Sequence, residues 1–474
     1  MRIMFVEPPK DFWFVMGEYL PPPFGILALA AYLEENVKGV DIQVVDCQAE
    51  SISWKGLEKR IDSFRPDIVA PSSLATCNVY TVLRALQTAK AVDPNIKTVV
   101  GGQHFTALAQ ESLQDYPEID IVVRGEGEET LADLVRILDS HESLGNVRGI
   151  SFRHDGDVVH MPSRSLICDV NSLPFPGYHF VRDNMHKYHF TMMTGPETKY
   201  ALIEGSRGCP HRCTFCSQWR HWGGAWRIKS PQRIADEMEH CHAQYGSSFF
   251  WLTDDNFDLS ARAVALCDEL ERRELADEII WFVQARCDDV ANRGEVLTKM
   301  RRAGNLWILM GIERHDQSTL ESFRKGTNVT NAKTAIDLLK KNDIFAQATF
   351  IIGERRDSHE SIRKLREFVE DIDPDLAIFM ILTPFPGTEV YEAAKQNGWI
   401  EDTDWSHYDM IHSIMRTEHL TRQEVQEELH ESYRSFYGNM KRRVFGLLSP
   451  NMIKRRTYTY LASQGLLEAL GDLV

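Results

Sequence analysis

No stretch of this 474-residue chain approaches the roughly 18 consecutive apolar residues that a membrane-spanning helix requires. No membrane role is therefore expected. Positive charge is also scarce, with 53 Lys and Arg against 69 Asp and Glu and a net charge of −16. Nucleic-acid affinity rests mainly on phosphate neutralisation by Lys and Arg, so a dominant polyanion-binding role is excluded, though a local basic patch is not. The pattern of an export signal is missing, because Met1-Arg2-Ile3-Met4-Phe5-Val6 is a short strand-like run that soon meets Pro8-Pro9. Nine cysteines without such a signal read as reduced thiols plus a metal site, not as disulfides, and a cytoplasmic location is expected. Internal repeats and low-complexity segments are absent. With 43% hydrophobic and 26% charged residues the composition is that of a globular protein with a large core, and the length calls for about two or three domains.

The chemistry is concentrated in Gly205-Ser206-Arg207-Gly208-Cys209-Pro210-His211-Arg212-Cys213-Thr214-Phe215-Cys216. Three cysteines at CxxxCxxC spacing on one glycine-flanked loop can face a single point. Three soft thiolates suit a 4Fe–4S cluster whose fourth iron stays open. A zinc knuckle completed by His211 or His221 is the alternative. Zinc motifs usually recur in pairs, and no second pair follows here.

Around this loop the chain alternates strand and helix patterns. Residues 1–140 read as a doubly wound, flavodoxin-like (Rossmann-type) α/β sheet with strands near 2–6, 41–45, 68–71, 98–100 and 119–123. Such sheets bind ligands at the carboxyl ends of their strands, where three loops stand. One is Ser72-Ser73-Leu74-Ala75-Thr76-Cys77-Asn78. The second, Gly101-Gly102-Gln103-His104-Phe105-Thr106, reads as a small, flexible turn that admits close backbone approach to a bulky ligand. The third, Arg124-Gly125-Glu126-Gly127-Glu128-Glu129-Thr130, opens a helix whose free N–H groups could hold an amide or a phosphate. Taken singly, each is equally an ordinary strand-capping turn. Residues 141–195 read as a connector, with a hairpin about Asp155-Gly156-Asp157 and an extended Leu173-Pro174-Phe175-Pro176-Gly177. Residues 196–400 hold six further strand–helix units, a partial (β/α)6 barrel whose site belongs at the carboxyl ends of its strands. Residues 401–474 read as largely helical, with a capping box at Thr421-Arg422-Gln423-Glu424. Lys441-Arg442-Arg443 and Lys454-Arg455-Arg456 are expected on solvated helix faces, a dock for an acidic partner being the functional alternative.

The cysteine loop resembles that of the radical S-adenosylmethionine enzymes. Together with the sheet ahead of it, nearly the whole chain resembles the cobalamin-dependent (class B) methylases of that family. The resemblance implies a 4Fe–4S cluster on Cys209, Cys213 and Cys216, S-adenosylmethionine at the open iron, and cobalamin, as methylcobalamin, in the N-terminal domain. It implies that Phe215 packs near adenine, with local packing an equal reading. Asp255, Gln284, Arg286 and Glu313 are the strand-end candidates for S-adenosylmethionine, and each could instead be a structural polar residue. Asp254-Asp255-Asn256 stands where relatives carry Gly-Gly-Glu, which puts the role of Asp255 in doubt. Ser72, Leu74, Ala75, Thr76, Gly101, Gly102, Gln103, His104, Gly125, Glu126 and Gly127 are the candidates for cobalamin. The DxHxxG motif that places histidine under cobalt in other cobalamin proteins is missing. Its nearest approach, Asp139-Ser140-His141, has Gly145 one residue too late. Cobalt is thus expected without a histidine from that motif, His104 being the nearest alternative.

What the resemblance implies is methyl transfer to an unactivated carbon, driven by an external one-electron donor. Ring formation without net methylation is the alternative within the same chemistry, and a zinc-bearing scaffold is the alternative outside it. No motif names the substrate, and no residue stands out as its proton donor or acceptor. The aromatic-rich Pro8-Pro9-Lys10-Asp11-Phe12-Trp13-Phe14-Val15-Met16 and Gln218-Trp219-Arg220-His221-Trp222 could line a groove or pack between domains. The chain is also similar to the archaeal glutamine C-methyltransferases that modify methyl-coenzyme M reductase. That similarity implies a protein or peptide substrate, with a small metabolite or lipid as the alternative.

Overall fold

The computed structural model describes residues 1–9, 19–73, 75–195 and 198–463. Arg2–Glu7 (β1), Asp41–Asp46 (β2), Ile68–Pro71 (β3), Lys97–Val100 (β4) and Ile121–Val123 (β5) are parallel and lie in the order β2-β1-β3-β4-β5. This is the flavodoxin-like order. Apolar runs such as Ile3-Met4-Phe5-Val6 are buried throughout because helices cover both faces of the sheet. On one face Leu57 and Ile61 of the helix Trp54–Phe64 and Ala85 and Ala89 of the helix Val79–Val92 meet Met4, Val6 and Val69. On the other, Phe24–Asn36 packs with Glu128–Ser140.

Ile150–His154 (β6) and Asp157–His160 (β7) add an antiparallel hairpin to β5. The hairpin anticipated in the connector therefore belongs to the first sheet and covers its edge, where unpaired backbone groups would otherwise be exposed. The segment 101–106, read from the sequence as a flexible turn, is mostly the helix Gly102–Ala107. Gly102 has φ +84° and a Cβ there would lie 2.6 Å from the Ser73 carbonyl oxygen, so glycine alone permits so abrupt a passage from strand to helix.

Tyr200–Ile203 (β8), Phe249–Leu252 (β9), Ile280–Arg286 (β10), Asn305–Glu313 (β11), Phe345–Ile352 (β12) and Leu376–Ile381 (β13) form the second sheet. They are all parallel and lie in chain order, as an open, partial barrel. Strand register puts Trp251, Phe282, Trp307 and Phe345 at one level. Trp251 and Phe282 stack at 4.9 Å between ring centroids, and Phe282 and Trp307 at 4.0 Å. A short antiparallel pairing of Tyr19–Leu20 with His189–Phe190 closes this level from below. It sets Phe190 5.4 Å from Trp307 and Tyr19 6.3 Å from Trp251. Gln284, Leu309 and Gln347 share the next level, and Arg286, Gly311 and Thr349 the one beyond it. The barrel thus has an aromatic floor and a polar rim at the carboxyl ends of its strands.

Beyond the barrel, helices Arg422–Gly438, Met440–Leu447 and Met452–Ser463 follow an irregular stretch, and Thr421 and Glu424 form the expected capping box. The two basic clusters depart from expectation. Arg442 is buried against Glu370 (2.9 Å) and Asp373, and Lys454 meets Asp375 at 2.7 Å. Arg456 donates to the Thr194 carbonyl at 2.6 Å. Arg442 and Lys454 turn inward because carboxylates gather where the chain enters β13, so only part of each cluster is solvated. No helix among the described residues is long and apolar enough to cross a membrane.

Trp307 is 1% exposed at the centre of the floor. Trp307→Ala should destabilise the protein by about 3–5 kcal/mol, read from the urea midpoint of the full chain. A loss below about 1 kcal/mol would contradict a floor packed in this way.

Candidate active site

The cysteine loop leaves β8 and turns at Gly208, whose φ is +87° and whose added Cβ would lie 2.0 Å from the Ala225 carbonyl oxygen. Cys213 is buried, and Cys209 and Cys216 are half-buried. The barrel holds the tip of the loop. Thr214 donates its N–H to the Phe323 carbonyl at 3.0 Å, and its own carbonyl accepts from Glu389 N–H at 3.1 Å. The Trp219 indole donates to the Cys213 carbonyl at 3.0 Å. Burial pushes the Cys209 thiol up and the Cys216 thiol up to about 12, so metal binding must displace their protons. Lys325 acts on Cys213 and Arg286 on Cys209 as neighbouring cations, which suits thiolate ligands. Among the described residues no three His, Cys, Asp or Glu side chains converge on one ion.

Three of the four strand-end candidates, Asp255, Arg286 and Glu313, stand near this loop, joined by a residue that sequence reasoning missed. Lys325 Nζ donates to Glu313 Oε1 at 2.8 Å, and Thr349 Oγ1 donates to Glu313 Oε2 at 3.4 Å. Both members of the ion pair are buried, and Glu313 has φ +66°, a strained backbone for a side chain of this size. Arg286 donates to Asp288 at 3.0 Å and 3.2 Å and to the Lys325 carbonyl, so much of its guanidinium is already engaged. Phe215 packs against Phe323 with centroids 5.0 Å apart, and Lys325 Nζ lies 6.0 Å from its ring centre. The Trp222 side chain and the Gly208 N–H lie close to Asp255 and favour its charged form. Burial, with Asp254 and Glu204 beside it, still pushes its carboxyl up to about 7. Gln284 stands apart from this group, deeper in the barrel and one level above the floor. Lys325 left no trace in the sequence because it lies in an irregular turn between Arg324 and Gly326, both at positive φ.

Across the seam stand the carboxyl ends of the first sheet. A Cβ on Gly101 would lie 3.2 Å from the Val123 carbonyl oxygen and one on Gly127 2.9 Å from Leu29, while Gly125 at φ +73° faces open space. Ser72 and Ala75 are half-buried and Thr76 is buried. Leu74 lies outside the described residues, as do residues 10–16 of the aromatic-rich N-terminal segment. Among the described residues, buried Ser73 Oγ and His104 Nδ1 meet no hydrogen-bond partner. Burial lowers the His104 imidazole to about 4, so it is neutral at ordinary pH, and its ring stands edge-on to Trp405 at 4.8 Å. A glycine-walled seam with unmatched polar atoms fits a large ring rimmed with amides, as cobalamin is. Gln103 and Glu126 turn toward the cysteine loop, where Gln103 meets Ser217 and Gln218 and Glu126 meets Arg207 and Arg227. Residues 218–222 lie in that same seam, with the Trp222 ring 5.6 Å from the Arg207 guanidinium.

Two family models match the chain. Residues 16–135 match the B12 binding domain, and residues 203–369 match the radical SAM superfamily. The chain is 32% identical to an anaerobic magnesium-protoporphyrin IX monomethyl ester cyclase of Cereibacter sphaeroides, over 94% of this chain and 71% of that protein. It is 31% identical to an uncharacterized methyltransferase of Pyrococcus horikoshii, over 92% of each. Among solved structures, the radical S-adenosylmethionine methyltransferase TsrM of Kitasatospora setae, with cobalamin and a [4Fe-4S] cluster bound, superposes with a TM-score of 0.72. The two share 15% identity, and the match covers 100% of this chain and 99% of that one.

Were cobalamin held as the resemblance implies, the loop 72–78 would approach it from the protein side, with Ala75 and Thr76 among the described residues nearest the cobalt. Ala75 offers no donor atom and Thr76 only a hydroxyl, a poor ligand for cobalt. The Co(II) form should therefore be base-off and show no nitrogen superhyperfine splitting in electron paramagnetic resonance. Nitrogen splitting that disappears in His104→Ala would contradict this and identify the imidazole as the ligand.

Proposed function

We propose that this chain, which belongs to the cobalamin-binding radical S-adenosylmethionine enzymes, moves a methyl group from S-adenosylmethionine by way of cobalamin to an unactivated carbon. The observation that supports this most is the seam itself. The cysteine loop with its polar rim stands opposite the glycine loops of the first sheet, and domain boundaries of this kind are where ligand cavities form. When bound, the cluster and S-adenosylmethionine supply a 5′-deoxyadenosyl radical, and cobalamin supplies the methyl carrier. The protein contributes the setting. Glu313, held by Lys325 and Thr349, presents acceptor oxygens suited to an ammonium or a ribose hydroxyl. The aromatic floor shuts water out of the barrel from below, as radical chemistry requires. The electron comes from an external donor.

The acceptor is less narrowly defined. Relatives are named for a magnesium-protoporphyrin ester, a hopanoid and a cytidylyl-hydroxyethylphosphonate. A glutamine of methyl-coenzyme M reductase is the acceptor implied by the similarity noted in the sequence, with a small metabolite or lipid as the alternative. A second reading has specific support, since relatives at 32%, 30% and 28% identity are named as cyclases. In that reading the same radical closes a ring and no methyl group is added.

On the authentic acceptor, methyl transfer should give S-adenosylhomocysteine and 5′-deoxyadenosine in about equal amounts per product. With trideuteromethyl S-adenosylmethionine the product should carry the label. Deoxyadenosine formed with an unlabelled product that has gained no methylene unit would overturn methyl transfer in favour of ring formation.

A further inference from the structure

Both shoulders of the cysteine loop are gripped by side chains from the opposite domain. Two residues before Cys209, Arg207 donates to Glu126 Oε1 at 2.8 Å and to Glu128 Oε1 at 2.5 Å. The same Glu126 oxygen accepts from Arg227 at 2.7 Å, while its other oxygen accepts from the Ile167 N–H at 2.7 Å. Directly after Cys216, Ser217 Oγ donates to Gln103 Oε1 at 2.6 Å, and Gln103 Nε2 donates to Gln218 Oε1 at 2.6 Å. Arg207 and Glu126 are each 5% exposed and Glu128 7%, so water does not compete for these ion pairs, while the Gln103 bonds are half-buried.

The gripping residues sit within the loops that would carry cobalamin. Gln103 follows Gly102, and Glu126 lies between Gly125 and Gly127. Ligand contact with those glycines acts on the same short segments that clamp the cysteines. We propose that Gln103 and Glu126 are positioning residues that link cobalamin binding to the geometry of the cluster loop. The two cofactor sites then behave as one coupled unit. Coupling of this kind is reciprocal, so a formed cluster must tighten cobalamin binding by the same factor by which cobalamin stabilises the cluster-bearing loop.

The linkage rests on the two-cofactor reading above and is tested without turnover. Binding of aquacobalamin to the full chain is measured by anaerobic equilibrium dialysis, with and without the reconstituted cluster, and the readout is the ratio of the two affinities. A direct contact of either side chain with cobalamin changes both affinities alike and leaves that ratio untouched. In the wild-type chain the cluster should tighten binding by about 5-fold or more. In Glu126→Gln and in the milder Gln103→Leu the ratio should fall toward one. Gln103→Leu keeps the test decisive should Glu126→Gln misfold, since it leaves the buried ion pairs intact. A wild-type ratio of one, or a Gln103→Leu ratio equal to the wild-type value, would overturn the linkage alone. Failure of every form to bind cobalamin would overturn the two-cofactor reading with it.

Discussion

Arg207 carries a full charge into the seam between two domains, and the arrangement of the site depends on how that charge is met. Burial alone would favour loss of its proton, but Glu204 and Glu128 outweigh it and hold the guanidinium well above its ordinary value. Removing one partner of such a buried pair typically costs about 3–5 kcal/mol, because the charge left behind has no water to turn to. The Trp222 ring is 5.6 Å from Arg207 and 5.5 Å from Arg227, and so fills the space beside both guanidinium groups. The first cysteine is two residues away. Its position is therefore set by carboxylates of the neighbouring sheet as much as by the strand it follows.

A second constraint comes from the levels of the barrel. Strand alternation sends every second side chain inward, and register aligns these into layers. Large rings fill the lowest layer and leave no room there for a ligand. Polar side chains begin one layer up with Gln284 and Gln347, and charged ones stand at the rim, where Arg286, Glu313 and Lys325 are bonded to one another before any substrate arrives. Such preformed bonding limits how far the strand ends can reorganise, which favours a fixed site over one assembled on binding.

The local patterns of the chain were legible in its sequence, and its long-range partnerships were not. Short apolar runs placed the strands Arg2–Glu7, Asp41–Asp46 and Ile68–Pro71, because each is decided by its own residues. The spacing of the three cysteines was equally local. By contrast, the bond between Arg207 and Glu126 spans 81 residues and that between Ser217 and Gln103 spans 114, and no period in the sequence connects them. Glu313 could be placed at a strand end, but its cation Lys325 lies in an irregular turn. Arg442 and Lys454 looked like solvated charges because the carboxylates they meet, Glu370, Asp373 and Asp375, belong to a distant part of the chain.

The central claim is that the cysteine loop and the glycine loops face one shared space, so that both cofactors lie close together in a single molecule. The relaxation rate of the reduced cluster's electron paramagnetic resonance signal tests it directly, measured with and without Co(II) cobalamin in the same full-length protein. A nearby paramagnetic cobalt should speed that relaxation and broaden the cluster signal. An unchanged rate, with the two spectra simply adding, would contradict the shared site.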